Sequence, residues 1–418
     1  MGRRNWVAAA LASALAATAT GPAHGRSLVV VVDGGSPRGG APVRLELPRD
    51  RVGPKVVESL GGRPGAVKVV EVGGDVPITG QLDVVSGALM LTFVLPAGAA
   101  EGPRRFRLDP TTATRDKGPW SVSDENGKPV DLRHGDKTVF RYNRAPVSNP
   151  NHPKIPARAA YIHPAFTPKG ALITGDFSAA HPHHRGFFLA YTKTTVGGAH
   201  PDFWNIQNGT GLIHFEGLDA ATAGPVTARI VTRHRWEAKG PGAVLRETWD
   251  VEAYDVPGAP YWMFDLTSTQ QAVGAPLELP PYRYGGMAYR GPDPFLKGPL
   301  DVLTSEGLDR VKGDQKPARW VDLTGPVADG SSEYGGALVM DHPSNPHHPT
   351  PARIHPTTLP FFAFTPSHDA ALTIRADAPT VFRYRVVIHD GRPDAALDAR
   401  LWRDFASPPK ARLEPAAE

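Results

Sequence analysis

The segment His181-Pro182-His183-His184-Arg185-Gly186 concentrates side chains that can do chemistry. Imidazole transfers protons near neutral pH and binds Zn, Cu and Fe. In extended backbone His181 and His183 point to one side and His184 to the other, so all three rings converge only if the chain bends. Arg185 can hold a carboxylate or sugar hydroxyls, or pair with an acid. The segment predicts a catalytic or binding loop, and a hydrogen-bonded structural loop is the alternative.

Two later segments combine polar and aromatic side chains. Asp202 and Trp204 lie close together in the sequence, which is typical of sugar subsites, where an indole stacks on the ring and a carboxylate accepts from hydroxyls. The alternative is a core Trp with Asp202 capping a turn. His214 and Glu216 lie on one face of a predicted strand, a spacing that favours a structural pair over a site.

A fourth segment runs from Asp341 to Thr350 and contains three prolines, which predicts a rigid, non-helical loop. Asp341, His342, His347 and His348 can bind a metal or hold a substrate there. Their spacing differs from the helical His-Glu-x-x-His zinc signature, and the chain has neither Gly-x-Ser-x-Gly nor a phosphate loop. We predict that this loop forms the wall opposite the His181 to Gly186 loop.

Proline follows seven of the 16 histidines. Because proline keeps the preceding residue out of the helical region, these histidines are expected on extended loops or strand edges, where functional groups are often displayed. They are His152, His163, His181, His200, His342, His348 and His355.

The composition narrows the function classes. The chain has no cysteine, which excludes thiol catalysis, disulfides and thiolate metal sites. Its net charge of +4 is spread along the chain without a basic run, so no nucleic-acid partner is predicted. Together 44 Gly and 44 Pro make about a fifth of the residues, which favours many short strands joined by turns.

The first 25 residues have the pattern of a secretory signal. Arg3 and Arg4 precede an uncharged run over 6–19, and small residues follow at 23–25. This predicts export by the Sec or twin-arginine route to the periplasm or cell exterior. No later stretch is long and apolar enough to predict a membrane span.

Strands with a two-residue period dominate the rest of the chain. Val226, Ala228 and Ile230 share one face, and Leu245 shares another with Trp249 and Val251, interrupted only by Glu247. The clearest amphipathic helix is 395–405. The pattern predicts an all-β protein: a large antiparallel β-sandwich, or its supersandwich variant, preceded by a smaller β-sandwich module. The predicted bounds are a module over 26–110, a linker over 111–137, a main domain over 138–405 and a disordered tail over 406–418.

Several of these motifs together resemble the bacterial PmoA family. The resemblance spans about 138–392 and rests on Phe140-Arg-Tyr-Asn143, the histidine loop, Asp202-Phe-Trp204, Gly211-x-Ile-His214, Gly285-Gly-Met-Ala-Tyr-Arg290, Trp320-Val-Asp322 and the Asp341 to Thr350 loop. It implies an exported protein of polysaccharide-degrading bacteria, found beside sugar oxidoreductases. The family name suggests a subunit of methane mono-oxygenase, an integral membrane protein, and that activity is not carried over. A Trp usually follows His-His-Arg-Gly in the family, whereas this chain has Phe187-Phe188-Leu189.

The leading functional hypothesis is an exported carbohydrate-active enzyme, a lyase, hydrolase or epimerase-like protein acting on an oligosaccharide or glycoside. His183 or His184 would be the general acid or base, because the ideal pKa for that role lies near neutrality. The candidate catalytic residues are His183, His184, Asp202, His214 and His342. The candidate substrate-binding residues are Arg185, Trp204, Arg290, Asp341 and His348.

No cofactor is predicted on this hypothesis. The alternatives are a glycan-binding surface protein without catalysis, and an oxidase with a His-ligated divalent metal. Loss of activity on replacing His183 or His184 separates catalysis from binding, and the metal content of the protein tests the oxidase.

Overall fold

We describe residues 27–34, 40–85, 87–96, 102–178, 181–357 and 359–415 of a computed structural model. The predicted signal peptide, 1–25, lies outside these residues. Within them, no helix combines the length and apolar character needed to cross a bilayer.

The N-terminal module is one antiparallel seven-stranded sheet with two short helices. Its apolar core consists of β-branched, leucine and phenylalanine side chains at alternating positions, such as Val67 and Val69. Its elements are β1 (Leu28–Val32), β2 (Pro42–Glu46), α1 (Arg49–Val52), α2 (Pro54–Leu60), β3 (Gly65–Glu71), β4 (Pro77–Val85), β5 (Ala88–Val94) and β6 (Arg104–Leu108). The two helices were not predicted.

The main domain contains nearly all the remaining elements. They are β7 (Trp120–Val122), β8 (Val130–His134), β9 (Lys137–Asn143), β10 (Tyr161–Ala165), β11 (Phe187–Ala190), β12 (Gly211–Ala223), β13 (Thr227–Ala238), β14 (Gly242–Tyr254), β15 (Tyr261–Ala272), β16 (Leu277–Leu279), β17 (Gly286–Arg290), β18 (Asp301–Thr304), β19 (Lys316–Pro317), β20 (Trp320–Pro326), β21 (Tyr334–Asp341), β22 (Pro351–Ile354), β23 (Phe361–Phe364), β24 (Leu372–Ile374), β25 (Thr380–Asp390) and α3 (Ala395–Ala406). A last strand, β26 (Ala411–Leu413), returns to the N-terminal module.

Two large antiparallel sheets form the main domain. The nine-stranded sheet has the order β19-β22-β23-β17-β11-β10-β9-β8-β7, and the eight-stranded sheet has the order β12-β13-β14-β15-β25-β21-β20-β18. Aromatic side chains join them: the ring of Phe264 in the eight-stranded sheet lies 5.0 Å from that of Phe140 and 6.1 Å from that of Phe187. The predicted all-β fold with a large antiparallel sandwich is confirmed, and the smaller N-terminal module, expected to be a β-sandwich, consists of a single seven-stranded sheet.

Two predicted segment boundaries differ from the structure. The expected linker, 111–137, contributes β7, β8 and the start of β9 to the nine-stranded sheet. Its two complete strands escaped prediction because they are short: β7 has three residues and β8 has five. The expected disordered tail, 406–418, includes β26, which pairs with β1 through Val30 and Leu413.

The helix α3 covers the outer face of the eight-stranded sheet. Asp394 caps it by accepting hydrogen bonds from the backbone N–H groups of Ala396 and Leu397. Leu401 and Phe405 bury their side chains against Met263 and Trp320 of that sheet. The predicted helix over 395–405 is therefore present, and it is held by apolar contacts on one face.

Candidate functional site

The histidine loop lies at one end of the nine-stranded sheet. Antiparallel pairing brings the start of β11, the end of β17, the start of β23 and the end of β22 to this same end. Arg290, Phe361 and His355 therefore surround the loop. Gly186 belongs to the motif for a steric reason, since a Cβ there would lie 2.0 Å from the carbonyl oxygen of Ile162.

The three histidine rings of the loop converge. The backbone N–H of His184 donates to the carbonyl of His181 at 3.0 Å, and this turn is the bend that convergence requires. One ligand nitrogen from each of His181, His183 and His184 lies within 4.8 Å of the others. Ring centroids are 4.6 Å apart for His183 and His184 and 5.0 Å apart for His181 and His184.

Aromatic packing fixes the orientation of His184. Its ring stacks on Phe361 with centroids 4.5 Å apart and meets the edge of Trp204 at 5.7 Å. His183 and His184 are 7% and 4% exposed, and the Nδ1 atoms of both have no hydrogen-bond partner in the described part of the chain. These two Nδ1 atoms, whether they carry a lone pair or a proton, are thus available to bind a ligand.

The surroundings lower the pKa of these imidazoles. Burial, His181 and the Arg158 and Arg185 guanidiniums lower the pKa of His183 to about 3. Burial and the other histidines also hold the pKa of His184 well below its usual value. His355, 6.2 Å from His181 between ring centroids, has a pKa lowered to about 4, chiefly by burial. The expected general acid with a pKa near neutrality is therefore not what this environment produces.

Three arginines give the site a positive character. Arg185 is fully buried and donates to Asp176, while its Nε and Nη2 have no partner within the described ranges. Arg290 is also fully buried, and it donates to the Gly291 carbonyl at 2.7 Å and to Asp293 at 2.8 Å. Arg158, which was not predicted, is 3% exposed and lies over the Phe188 ring at 4.6 Å. Arg185 and Arg290, both candidate substrate-binding residues, thus lie beside the histidines.

Asp202 and Trp204 lie beneath the loop and have structural roles. Trp204 is 1% exposed, and its ring is packed among those of Phe188, Tyr284 and Phe361, with centroids 4.8, 5.6 and 5.9 Å away, so protein side chains occupy the space that a stacked sugar would need. The Asp202 carboxylate accepts from the backbone N–H groups of Trp204 and Asn205 at 3.0 and 2.8 Å. This corrects the expected sugar subsite: the segment is a core Trp with an Asp-capped turn.

His214 lies away from the cluster. It is on the edge strand β12 of the other sheet, with its side chain 36% exposed and its Nε2 3.7 Å from the Glu237 carboxylate. It forms a surface pair with Glu237 rather than with Glu216, which pairs with Arg235, and it lies outside the histidine cluster.

The loop from Asp341 to Thr350 does not form the opposite wall. It precedes β22, whereas His355 follows β22, so the two loops lie at opposite ends of the nine-stranded sheet. Asp341 is fully buried and accepts from Asn345 at 2.7 Å and the Thr350 backbone at 3.0 Å, with His348 at 2.8 Å. The stacking of His348 on Trp402 anchors the loop to α3.

His342 lines a different cavity. A cleft of about 360 Å³ separates the N-terminal module from the eight-stranded sheet, and His342 lies on its wall. The charges there are paired: Arg44 donates to Glu252 at 2.6 Å, and Arg385 donates to Asp265 at 2.6 Å. His183, Asp202, His214 and His342 therefore do not share one pocket.

Sequence reasoning missed Arg158 and gave no role to His355. The signal for His355 was present, because it is one of the seven histidines that precede proline. The residues next to Arg158 in the sequence give no indication of a site. Its side chain reaches the histidines only by packing on Phe188, 30 positions later in the chain.

Comparison with known proteins identifies the family. Residues 129–403 match the model of DUF6807, described as a family of unknown function. This chain belongs to the DUF6807 family. The predicted membership of the PmoA family is wrong, because the family model that matches is DUF6807. No curated protein matches the chain.

Two solved structures resemble this DUF6807 protein at low similarity. One is an alpha-mannosidase from Enterococcus faecalis V583, with 9% identity and a TM-score of 0.40, covering 94% of this chain and 46% of that chain. The other is a protein in the Glycosyl Hydrolase Family 38 from Enterococcus faecalis, with 9% identity and a TM-score of 0.36, covering 94% and 48%. The chain spans about half the length of each, and a likeness of this size carries no functional argument.

Proposed function

We propose that this chain is a carbohydrate-active enzyme whose reaction centre is a divalent metal ion bound by His181, His183 and His184. One observation carries the proposal: the ligand nitrogens of the three side chains lie within 4.8 Å of one another. Two nitrogens on one tetrahedral Zn²⁺ lie roughly 3.3 Å apart, given Zn–N distances near 2.0 Å. Ring rotations that shorten these separations by up to about 1.5 Å would therefore bring the three atoms onto one ion.

The environment of the three rings supports metal ligation over proton transfer. No carboxylate among the described residues bonds to any of these rings to orient it as an acid or base. The buried Nδ1 atoms of His183 and His184 are unpartnered, which leaves them available as ligands. Three protein ligands leave at least one coordination position open for water or a substrate oxygen, as catalytic zinc sites require.

The carbohydrate class is supported by the polarity of the site and by the predicted export. Imidazole and guanidinium groups line the loop, and such donors and acceptors match a substrate rich in hydroxyls. The pattern of residues 1–25 predicts a location where glycans are accessible. A bound divalent ion would supply Lewis-acid polarisation of a substrate oxygen or a water of lowered pKa.

Metal analysis of the purified protein tests the proposal. The chain is stripped with chelator, loaded separately with Zn²⁺, Mn²⁺, Cu²⁺ and Fe²⁺, desalted and analysed for metal content. Wild type is expected to retain about one equivalent of one ion, and His183→Ala and His184→Ala are expected to lose it. His200→Ala is the matched control, because His200 lies outside the cluster with its Nδ1 3.1 Å from the Thr195 hydroxyl.

Turnover is then measured with an oligosaccharide panel. Metal-dependent turnover that disappears in His183→Ala and persists in His200→Ala is the expected result. Wild type that retains none of the four ions, or that is fully active without metal, overturns the metal centre. Sugar binding without turnover of any panel member would identify a binding protein instead.

A further inference from the structure

The guanidinium of Arg158 is buried and has no hydrogen-bond partner among the described residues. Its side chain leads from a loop between β9 and β10 onto the ring of Phe188, and the residue is 3% exposed. Nε, Nη1 and Nη2 are all buried, and none of them has a partner in the described structure. The same Phe188 ring lies 6.0 Å from that of His184, so Arg158 borders the histidine cluster.

Burying a charged guanidinium without hydrogen bonds lowers the stability of the folded protein. Removing an ion from water carries a penalty of several kcal/mol unless a counter-charge and hydrogen bonds replace the lost hydration. Protein interiors therefore rarely hold an arginine with all its donors unpaired, and such a group calls for a ligand.

The nearby carboxylates do not supply the missing charge. The carboxylates of Asp176 and Glu247 act on Arg158 electrostatically, but neither bonds to it. Arg185, the Tyr161 hydroxyl at 3.0 Å and the Phe177 backbone at 2.9 Å already donate to Asp176. Asp293 is engaged by Arg290. The guanidinium of Arg158 is therefore left without a bonded carboxylate among the described residues.

We infer that Arg158, with the free Nε and Nη2 of Arg185, binds a singly charged oxyanion on the substrate, so that the enzyme acts on an acidic carbohydrate. The inference rests on the proposed function and specifies its substrate class. The oxyanion is a carboxylate, as in a uronic acid, or a sulfate ester, because both match the planar donors of a guanidinium. A sugar bound in this way places its hydroxyls beside the three histidines.

Calorimetric binding by the metal-loaded protein tests the inference. The probes are sodium glucuronate, glucose 6-sulfate and glucose. Wild type is expected to bind at least one acidic sugar at least tenfold more tightly than glucose, and Arg158→Met is expected to lose that preference. The difference between the glucuronate and sulfate arms shows which oxyanion is recognised. Arg246→Met, at an exposed position of β14, is the matched control and should keep the preference.

The thermal stability of the ligand-free protein gives an independent readout. If Arg158 is an unpaired charge awaiting a ligand, Arg158→Met raises Tm, because an apolar side chain of similar length removes the buried charge. A structural arginine would give the opposite sign. Lower Tm together with an unchanged preference for acidic sugars overturns the inference.

A second variant, Arg158→Lys, tests the inference if Arg158→Met does not fold. Arg158→Lys keeps the charge but loses the planar fork, and it should bind the acidic sugar more weakly than wild type and more tightly than Arg158→Met. Equal affinity of wild type and Arg158→Lys overturns the inference. Retained metal in every variant, with no acid preference in wild type, rejects the substrate class and leaves the metal centre standing. Absence of metal from wild type rejects the proposed function itself.

Discussion

The Nδ1 atom of His234 lies 3.0 Å from Oε2 of Glu247 between the two sheets, and both side chains are almost fully buried. The carboxylate also accepts from Trp236, Trp249, Ser268 and Gln270. Burial alone would raise the pKa of Glu247, but the hydrogen bonds and the charge of His234 together lower it. The acid that interrupts an otherwise apolar strand face is thus the centre of a satisfied polar network.

Replacing Glu247 by Gln is expected to destabilise the protein by about 3–5 kcal/mol, because the amide cannot accept all the hydrogen bonds that converge on the buried carboxylate and leaves buried donors unsatisfied. Chemical denaturation measures the free energy of unfolding. Glu216→Gln, which alters an exposed pair with Arg235, is the control and should change it by no more than about 0.5 kcal/mol. A loss for Glu247→Gln as small as that of the control would contradict a structural role for the network.

Replacing Trp204 by Ala is expected to cost about 3–5 kcal/mol of stability, because it empties a packed site beneath His184. Trp204→Phe should cost less, since it keeps most of the contact with Phe188 and Phe361. Denaturant unfolding compares the two variants. If Trp204→Ala instead weakened sugar binding and left stability unchanged, the burial of this indole would be refuted.

A second buried cluster predicts a loss of stability at alkaline pH. Burial and the Asp322 carboxylate raise the pKa of Asp398 on α3 to about 8. Burial alone would lower the pKa of His389, but Asp322, 3.0 Å away, and the Asp390 backbone raise it to about 9. Both values lie above those of the unfolded chain. Their stabilising contributions are therefore complete at low pH and are lost as the pH rises through about 8 and 9.

Asp398→Asn mimics the protonated acid and should reduce this loss. Between pH 6.5 and 9.5 we expect the Tm of wild type to fall, and that of Asp398→Asn to fall by about 2–4 °C less, equivalent to about 1 kcal/mol. Scanning fluorimetry at both pH values measures the difference. Asp329→Asn, at an exposed loop position, should follow wild type. Parallel curves for wild type and Asp398→Asn would show that Asp398 does not titrate in this range.

Metal binding should stabilise the folded chain. A ligand that binds only the native state contributes about 2.7 kcal/mol at 100 times its Kd. The Tm of wild type should rise with the concentration of the retained ion, whereas that of His183→Ala should stay constant and that of His200→Ala should rise as wild type does. Equal shifts in wild type and His183→Ala would place the ion elsewhere.

Local sequence patterns sufficed to predict the long strands and the helix α3. The β-branched run from Leu28 to Val32 became β1, and the period-two stretches became the long strands β13 to β15, because alternation directly reflects which face is buried. Short edge strands such as β7 and β26 bury too few side chains to leave such a pattern.

The site was predicted in part. The sequence alone determined that His181, His183, His184 and Arg185 share one loop, since chain neighbours stay together in any fold. Tertiary structure decided the rest. A turn between His181 and His184 made the rings converge, and strand order placed Arg290 and His355 beside them. The Asp341 to Thr350 loop lies at the far end of the sheet, because it precedes β22 whereas His355 follows β22, and the two ends of a strand lie at opposite ends of its sheet. Packing alone brought the unpaired Arg158 to the cluster.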